Sequence, residues 1–324
     1  MCTAAKYVSD DFYFGRTLDN DCSYNEEIVI TPRRRRLNYR DAGCAQAHFA
    51  MVGVATVRDD YPLYYDGINE KGLAVAGLNF VGNAVYNEAC NGKDNISQFE
   101  FIPYILGGCA SVADAKRALS RINITKTPFS ESMPPAQLHW IIADRHAALT
   151  VECTETGLHV YDNTVGVLAN NPTFPEQLFA LNNYMALSPK PPVNNFSDKI
   201  ELLTYCRGMG ALGLPGDLSS QSRFVRAAFT LLNSPCCATC EESVSQFFHI
   251  LGAVAQTRGS CVTESGDYET TIYTSCCNAT RGVYYYTAYD NHRICAVDMH
   301  KVNLDGVSLV RYPMLRGEQI LMQN

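Results

Sequence analysis

The chain opens "MCTAAKYVSDDFYFGRTLD", which places a thiol at Cys2 and an Arg and an Asp, Arg16 and Asp19, at the end of a strand-like run. If Met1 is removed, Cys2 carries a free amine and a thiol on one carbon. An α-amine titrates near ~7.7 to 8, so a useful fraction is unprotonated at neutral pH. It reaches its own side chain directly or through one water and can replace His as the base of a nucleophile. A thiol also needs electropositive surroundings to react as a thiolate. Arg16 is the candidate cation, and Asp19 is the candidate acceptor that holds the amine. The dipeptide Met-Cys alone is weak, because chain termini are usually loose.

Other patterns compete for attention and carry less. "GMGALG", residues 208–213, matches a dinucleotide fingerprint. That motif needs a strand before it and a helix opening on its last Gly. "DKIELLTYCR" before it is at least as helical as β, and "LPGDLSS" after it starts no helix there, so a Gly-rich loop is the reading. Cys237-x-x-Cys240 and the Cys276–Cys277 doublet lack the paired spacing of a structural zinc site. Scattered histidines define no dyad. No metal and no cofactor are expected.

Composition sets outer limits. The chain has 324 residues, 47% of them apolar, with a formal net charge of -7. The acidic balance argues against nucleic acid as a partner. No apolar stretch reaches the ~18 residues of a membrane span, and no basic-then-apolar leader is visible. With 14 cysteines read as mostly reduced, the chain reads as cytoplasmic. The run Arg33–Arg36 follows Pro32 and reads as a solvated turn.

The elements that must position Cys2 come in blocks. "EIVITP", "HFAMVGVATV", "LYYDGIN" and "KGLAVAGLNF" alternate or run apolar as strands do, with a turn at "INEKG". "FEFIPYILG" and "SVADAKRALSRI" follow as helices, the second with the cap pair Ser111 and Asp114. A second strand block, "LHWIIAD" to "VGVLAN", precedes helices at "EQLFALNNYMAL", "RFVRAAFTLLNS" and "ESVSQFFHILGAVAQ". Strands close the chain. Runs of strands joined by short turns point to antiparallel sheets covered by helices. One domain over residues 1–324 is expected.

Taken together and in order, "MCTA…YFGRTLD", "INEKGLAVAGLNF", "VGVLANNPTF" and "LPGDLSSQSRFVRAAF" resemble the choloylglycine hydrolase family of N-terminal-nucleophile hydrolases, over nearly the whole chain. The resemblance implies an α+β fold, an αββα sandwich of two antiparallel sheets between helix layers. It implies hydrolysis of the amide that joins a steroid acid to glycine or taurine, with conjugated bile salts as the partner, and a homotetramer. Carried over by motif, Cys2 is the nucleophile. Arg16 and Asp19 come from "GRTLD", Asn79 from "GLNF", Asn170 from "LANNP" and Arg223 from "SRFVR". Asn79 and Asn170 suit an oxyanion, since amides donate without adding charge. Arg223 supports the charged network around the amine and thiol. Tyr24, Tyr65, Phe129 and Leu138 are assigned to loops beside the motif strands, where the family builds its acyl pocket.

The sequence departs from the family pattern at Ala169, where Thr is expected, and the doublet Asn170–Asn171 leaves two candidates for one role. A rival within the family takes a smaller aromatic acyl group, as penicillin V acylases do. Asn79 favours the steroid side, since the acylases tend to carry Tyr there. A binder of amphipathic acids on the same scaffold, without catalysis, is the alternative from another class. Zinc-dependent interaction is a third.

Overall fold

The computed structural model describes residues 1–324. Along the chain the strands are β1 (Cys2–Val8), β2 (Phe12–Asn20), β3 (Glu27–Thr31), β4 (Leu37–Tyr39), β5 (Gly43–Ala45), β6 (Met51–Arg58), β7 (Tyr61–Asn69) and β8 (Ala74–Asn79). Then come β9 (Asp94–Ser97), β10 (Ile122–Thr125), β11 (Leu138–Ala143), β12 (Ala148–Thr154), β13 (Gly157–Asp162) and β14 (Val167–Leu168). The last four are β15 (Thr270–Asn278), β16 (Val283–Ala288), β17 (Asn291–Asp298) and β18 (Val310–Pro313). Five α-helices accompany them: α1 (Phe101–Gly108), α2 (Val112–Leu119), α3 (Phe174–Ala180), α4 (Ser220–Leu232) and α5 (Cys240–Gly252).

Two large antiparallel sheets result. One has the order β14-β1-β2-β15-β16-β17, the other β13-β12-β11-β8-β7-β6-β3-β18. They face each other through β1, β2, β7 and β8; α4 and α5 cover the outer face of the first, α1 and α2 that of the second. This is the expected αββα sandwich. The main core fills the space between the sheets and beneath α4 and α5, and a second core lies beneath α1 and α2. Strands between two packed layers are buried on both sides and read as apolar runs. β2 and β15 are buried along almost their whole length.

Register places the chain start. β1 lies between β14 and β2, pairing Ala4 with Leu168 on one side and with Arg16 on the other. Cys2 therefore comes level with Asn170, two residues beyond Leu168. Gly15 permits the close approach of β2 and β15, since a Cβ there would meet the Ser275 carbonyl at 2.0 Å.

Ser111 caps α2, its hydroxyl accepting from the Asp114 N–H at 3.2 Å, as the motif predicts. Pro103 falls in the first turn of α1, where its missing N–H costs nothing. "DKIELLTYCR" is neither helix nor strand; its apolar side chains point outward, and no layer covers them. The helix expected from "EQLFALNNYMAL" stops at Ala180 and tightens into a 3-10 turn over Leu181–Tyr184. "GMGALG" is a loop around a 3-10 turn, and Gly210 is needed where the chain passes the Lys190 carbonyl, 1.9 Å from a built Cβ. The Arg33–Arg36 run is a turn, yet not merely solvated: Arg33 pairs with Glu70 and Asp305, and Arg35 with Asp60.

Candidate active site

Cys2 is 2% exposed at the foot of a cavity between the sheets. Arg16, one diagonal step away on β2, donates from Nη2 to the Cys2 sulfur and from Nη1 to the Gly77 carbonyl of the facing sheet. Burial pulls the Arg16 guanidinium down, but Cys2, Tyr273, Asp66 and Asp19 around it outweigh burial, and the net shift is upward. Arg16 is thus a fixed cation against the sulfur.

The backbone nitrogen of Cys2, which would be the α-amine of a chain lacking Met1, donates to Asn170 Oδ1 at 2.8 Å. That oxygen also accepts from Arg223 Nη2 at 2.7 Å, and Asn170 Nδ2 donates to the Asn79 carbonyl at 2.7 Å. These three bonds fix which way the amide faces. Asn170 therefore accepts the Cys2 N–H through its oxygen and keeps one amide hydrogen free. Asn171 points elsewhere, donating to the Val81 carbonyl, and only Asn170 of the doublet bonds to Cys2.

Arg223, in α4, also donates from Nη1 to the Cys2 carbonyl and to Thr3 Oγ1, both at 2.6 Å. Its Nη1 lies 3.9 Å from Asp19 Oδ2. Asp19 is buried, with Thr271, Thr17 and Gln256 donating to its carboxylate. Burial pushes the Asp19 carboxyl up, and Arg223, the terminal amine and the hydroxyls oppose that push. With Met1 in place, its amine donates to the Asp19 carbonyl and pairs with Glu269. Asp19 therefore stands in the amine's surroundings through Arg223 and its own backbone. No direct bond links its side chain to the Cys2 nitrogen.

Asn79 ends β8, opposite Leu138 on β11, and is exposed to the cavity. The cavity, about 270 Å³, is mainly apolar. Tyr24, Tyr65, Phe129 and Leu138 all line it. Two of these are not in loops, as the sequence led us to expect. Tyr65 lies within β7 and Leu138 opens β11, because the pocket wall is the inner face of the second sheet itself. Phe129 packs edge-on against Phe99, ring centres 5.2 Å apart, with the Arg40 guanidinium 5.6 Å from its ring.

Sequence reasoning missed the support beneath Arg16. Asp66, fully buried on β7, accepts from the Tyr273 hydroxyl at 2.7 Å and the Tyr284 hydroxyl at 2.5 Å. Burial pushes its carboxyl up, and Arg16 is the first influence opposing that push. A lone Asp in the apolar strand "LYYDGIN" was the available signal. The remaining motifs stay apart from this site. Cys237 contacts Tyr7 at 3.6 Å on the far side of the first sheet, and all the cysteines are free thiols.

Comparison with known proteins adds to this geometry. The profile of the linear amide C-N hydrolases, choloylglycine hydrolase family, matches residues 2–312. A bile salt hydrolase/transferase of Lactiplantibacillus plantarum is 51% identical over 318 residues, covering 98% of each chain. The crystal structure of a variant of conjugated bile acid hydrolase from Clostridium perfringens superposes with a TM-score of 0.92 at 37% identity, over 100% of both chains. Penicillin V acylase from Agrobacterium tumefaciens shares the fold, with a TM-score of 0.77 at 21% identity over 97% of this chain and 92% of its own.

Proposed function

Since the chain belongs to the choloylglycine hydrolase family of linear amide C–N hydrolases, we propose that it hydrolyses the amide of glycine- or taurine-conjugated bile salts through a thioester on Cys2. The observation that carries this reading is the buried Cys2 sulfur against Arg16 at the foot of an apolar cavity, with its nitrogen on Asn170.

Once Met1 is excised, the α-amine takes the thiol proton and the sulfur attacks the carbonyl carbon. The Arg16 cation stabilises charge on sulfur. The free hydrogen of Asn170 and the Asn79 amide donate to the oxyanion of the tetrahedral intermediate, each donor worth roughly 3 kcal/mol. The amine then protonates the leaving nitrogen, and glycine or taurine departs. Water, deprotonated by the same amine, attacks the thioester and releases the bile acid. Arg223 neutralises Asp19 and orients Asn170. The steroid lies along Tyr65, Phe129 and Leu138, with Tyr24 at the exposed rim, and the anionic tail stays toward solvent, because burying an unpaired charge is costly.

We read residues 1–324 as one domain, and the family resemblance implies a homotetramer. Exposed Phe196, Leu203 and Tyr205 on the outer loop supply apolar surface for such contacts. Free thiols throughout the chain favour a reducing, cytoplasmic setting, and no helix is long and apolar enough to cross a membrane.

The test is product analysis on protein of verified N-terminus, with glycocholate, taurocholate and phenoxymethylpenicillin offered separately. Free cholate with glycine or taurine supports the reading. Preferential cleavage of the penicillin moves the protein to the acylase side. Binding of cholate without turnover makes it a carrier.

A further inference from the structure

Behind the two asparagines lies a buried pair that the mechanism does not use. His139, on β11, and Glu152, on β12, are both 0% exposed. His139 Nδ1 stands 3.1 Å from Glu152 Oε1, and its Nε2 stands 2.8 Å from the Ala169 carbonyl. The face of the ring stacks on Phe80, centres 4.3 Å apart and planes 5° from parallel. Ala169 immediately precedes Asn170, and Phe80 immediately follows Asn79. Glu152 Oε1 also accepts the Phe174 N–H at 2.9 Å, anchoring the far end of the Asn170 loop.

One ring therefore touches the neighbour of each donor, and the donors touch each other through Asn170 Nδ2 and the Asn79 carbonyl. The contacts close a circuit: His139, Ala169, Asn170, Asn79, Phe80 and back to His139. Burying a carboxylate and an imidazole between packed strands is costly, and core stability alone is served as well by apolar residues of the same volume. Oxyanion donors act only when held in advance where the charge will form.

We propose that His139 and Glu152 are positioning residues that set the separation of Asn79 and Asn170 and so tune stabilisation of the oxyanion. The inference rests on the amidase reading above. His139 fixes the register of the Asn170 backbone by its bond to Ala169 and the end of β8 by its stack under Phe80. Glu152 fixes the ring through Nδ1 and the loop through Phe174.

Three variants separate the contacts. His139→Phe keeps a flat ring under Phe80 and loses both polar bonds. His139→Gln keeps a donor for the Ala169 carbonyl and loses the stack. Glu152→Gln keeps an acceptor for His139 and for the Phe174 N–H. For each, kcat and KM on glycocholate are measured, together with the rate of Cys2 alkylation by iodoacetamide and the melting temperature.

A donor displaced by about 1 Å costs on the order of 100-fold in rate. The expected result is therefore a kcat reduced roughly 10- to 100-fold in His139→Phe, less in His139→Gln and least in Glu152→Gln. KM and the alkylation rate should stay within about twofold of the parent, because neither depends on the oxyanion donors. If His139→Phe does not fold, the same split in His139→Gln carries the test. An unchanged kcat in the folded variants overturns the proposal. So does a parallel loss of kcat, KM and alkylation, which marks a purely structural pair. A parent protein that hydrolyses none of glycocholate, taurocholate and phenoxymethylpenicillin overturns the amidase reading itself, whereas an active parent with unaffected variants removes only the clamp.

Discussion

The floor of the cavity and its wall are built on opposite terms. The floor comes from β1, β2 and α4 with the loop after β14. Cys2, Arg16, Asn170 and Arg223 are buried there and bond to one another, with buried Asp19 3.9 Å from Arg223. The wall comes from β7, β11 and the loops holding Tyr24 and Phe129; Tyr24, Tyr65, Phe129 and Leu138 are half-buried or exposed, while Tyr64 and Trp140, which also line it, are buried. A buried polar network leaves a costly orphan whenever one member is removed. An apolar wall loses only area. The floor should therefore control rate and tolerate no change, and the wall should control affinity and tolerate trimming.

The largest break is at Cys2 itself. Cys2→Ser should abolish nearly all turnover, since an alcohol is a far poorer nucleophile beside an amine base. Cys2→Ala should still bind cholate, seen by calorimetry. Asn170→Ala comes next. It removes the proposed donor to the oxyanion and also the acceptor of the Cys2 nitrogen and Arg223. We expect kcat to fall about 100- to 1000-fold, measured with glycocholate at saturation.

Phe129→Ala tests the wall. KM for cholyl conjugates should rise roughly tenfold with kcat within about twofold, as uniform binding is lost. Phe129 also packs on Phe99 and Tyr61, so the melting temperature is measured on the same preparation. A fall in melting temperature with all substrates affected alike would place Phe129 in the core.

The smallest effect concerns the outer support of α4. Hydrogen bonds from Ser219 and Ser222 hold the Asp217 carboxyl down at about 2. An unfolded Asp titrates near ~3.9, so this contribution is full above pH ~4 and is lost as pH falls from there toward ~2. Asp217→Asn should flatten that part of the acid-side fall in the urea midpoint and leave kcat at neutral pH unchanged.

The floor was legible only from four motifs read together and in order, because a Cys next to the initiator, with Arg and Asp closing the next strand, is weak by itself. Asn170 and Arg223 came with the family resemblance; the register of β1 against β14 then brings Asn170 level with Cys2. The wall was legible only as apolar residues near the motifs; that Tyr65 and Leu138 sit in strands depends on how the second sheet faces the first. Asp66, His139 and Glu152 were passed over because each is one isolated Asp, His or Glu in a largely apolar strand. Their partners, Tyr273, Tyr284 and Ala169, lie far away in sequence, and only the packing of the sheets brings them together.

The central claim is that the amine and the thiol of Cys2 act as one unit. Two preparations of the chain test it most directly, one beginning at Cys2 and one carrying an uncleavable N-terminal extension, each verified by mass and by melting temperature. Cholate release from glycocholate is then compared at equal concentration. Turnover is expected only where Cys2 has a free amine, with the extended chain folded but inactive. Equal turnover by both preparations would contradict it.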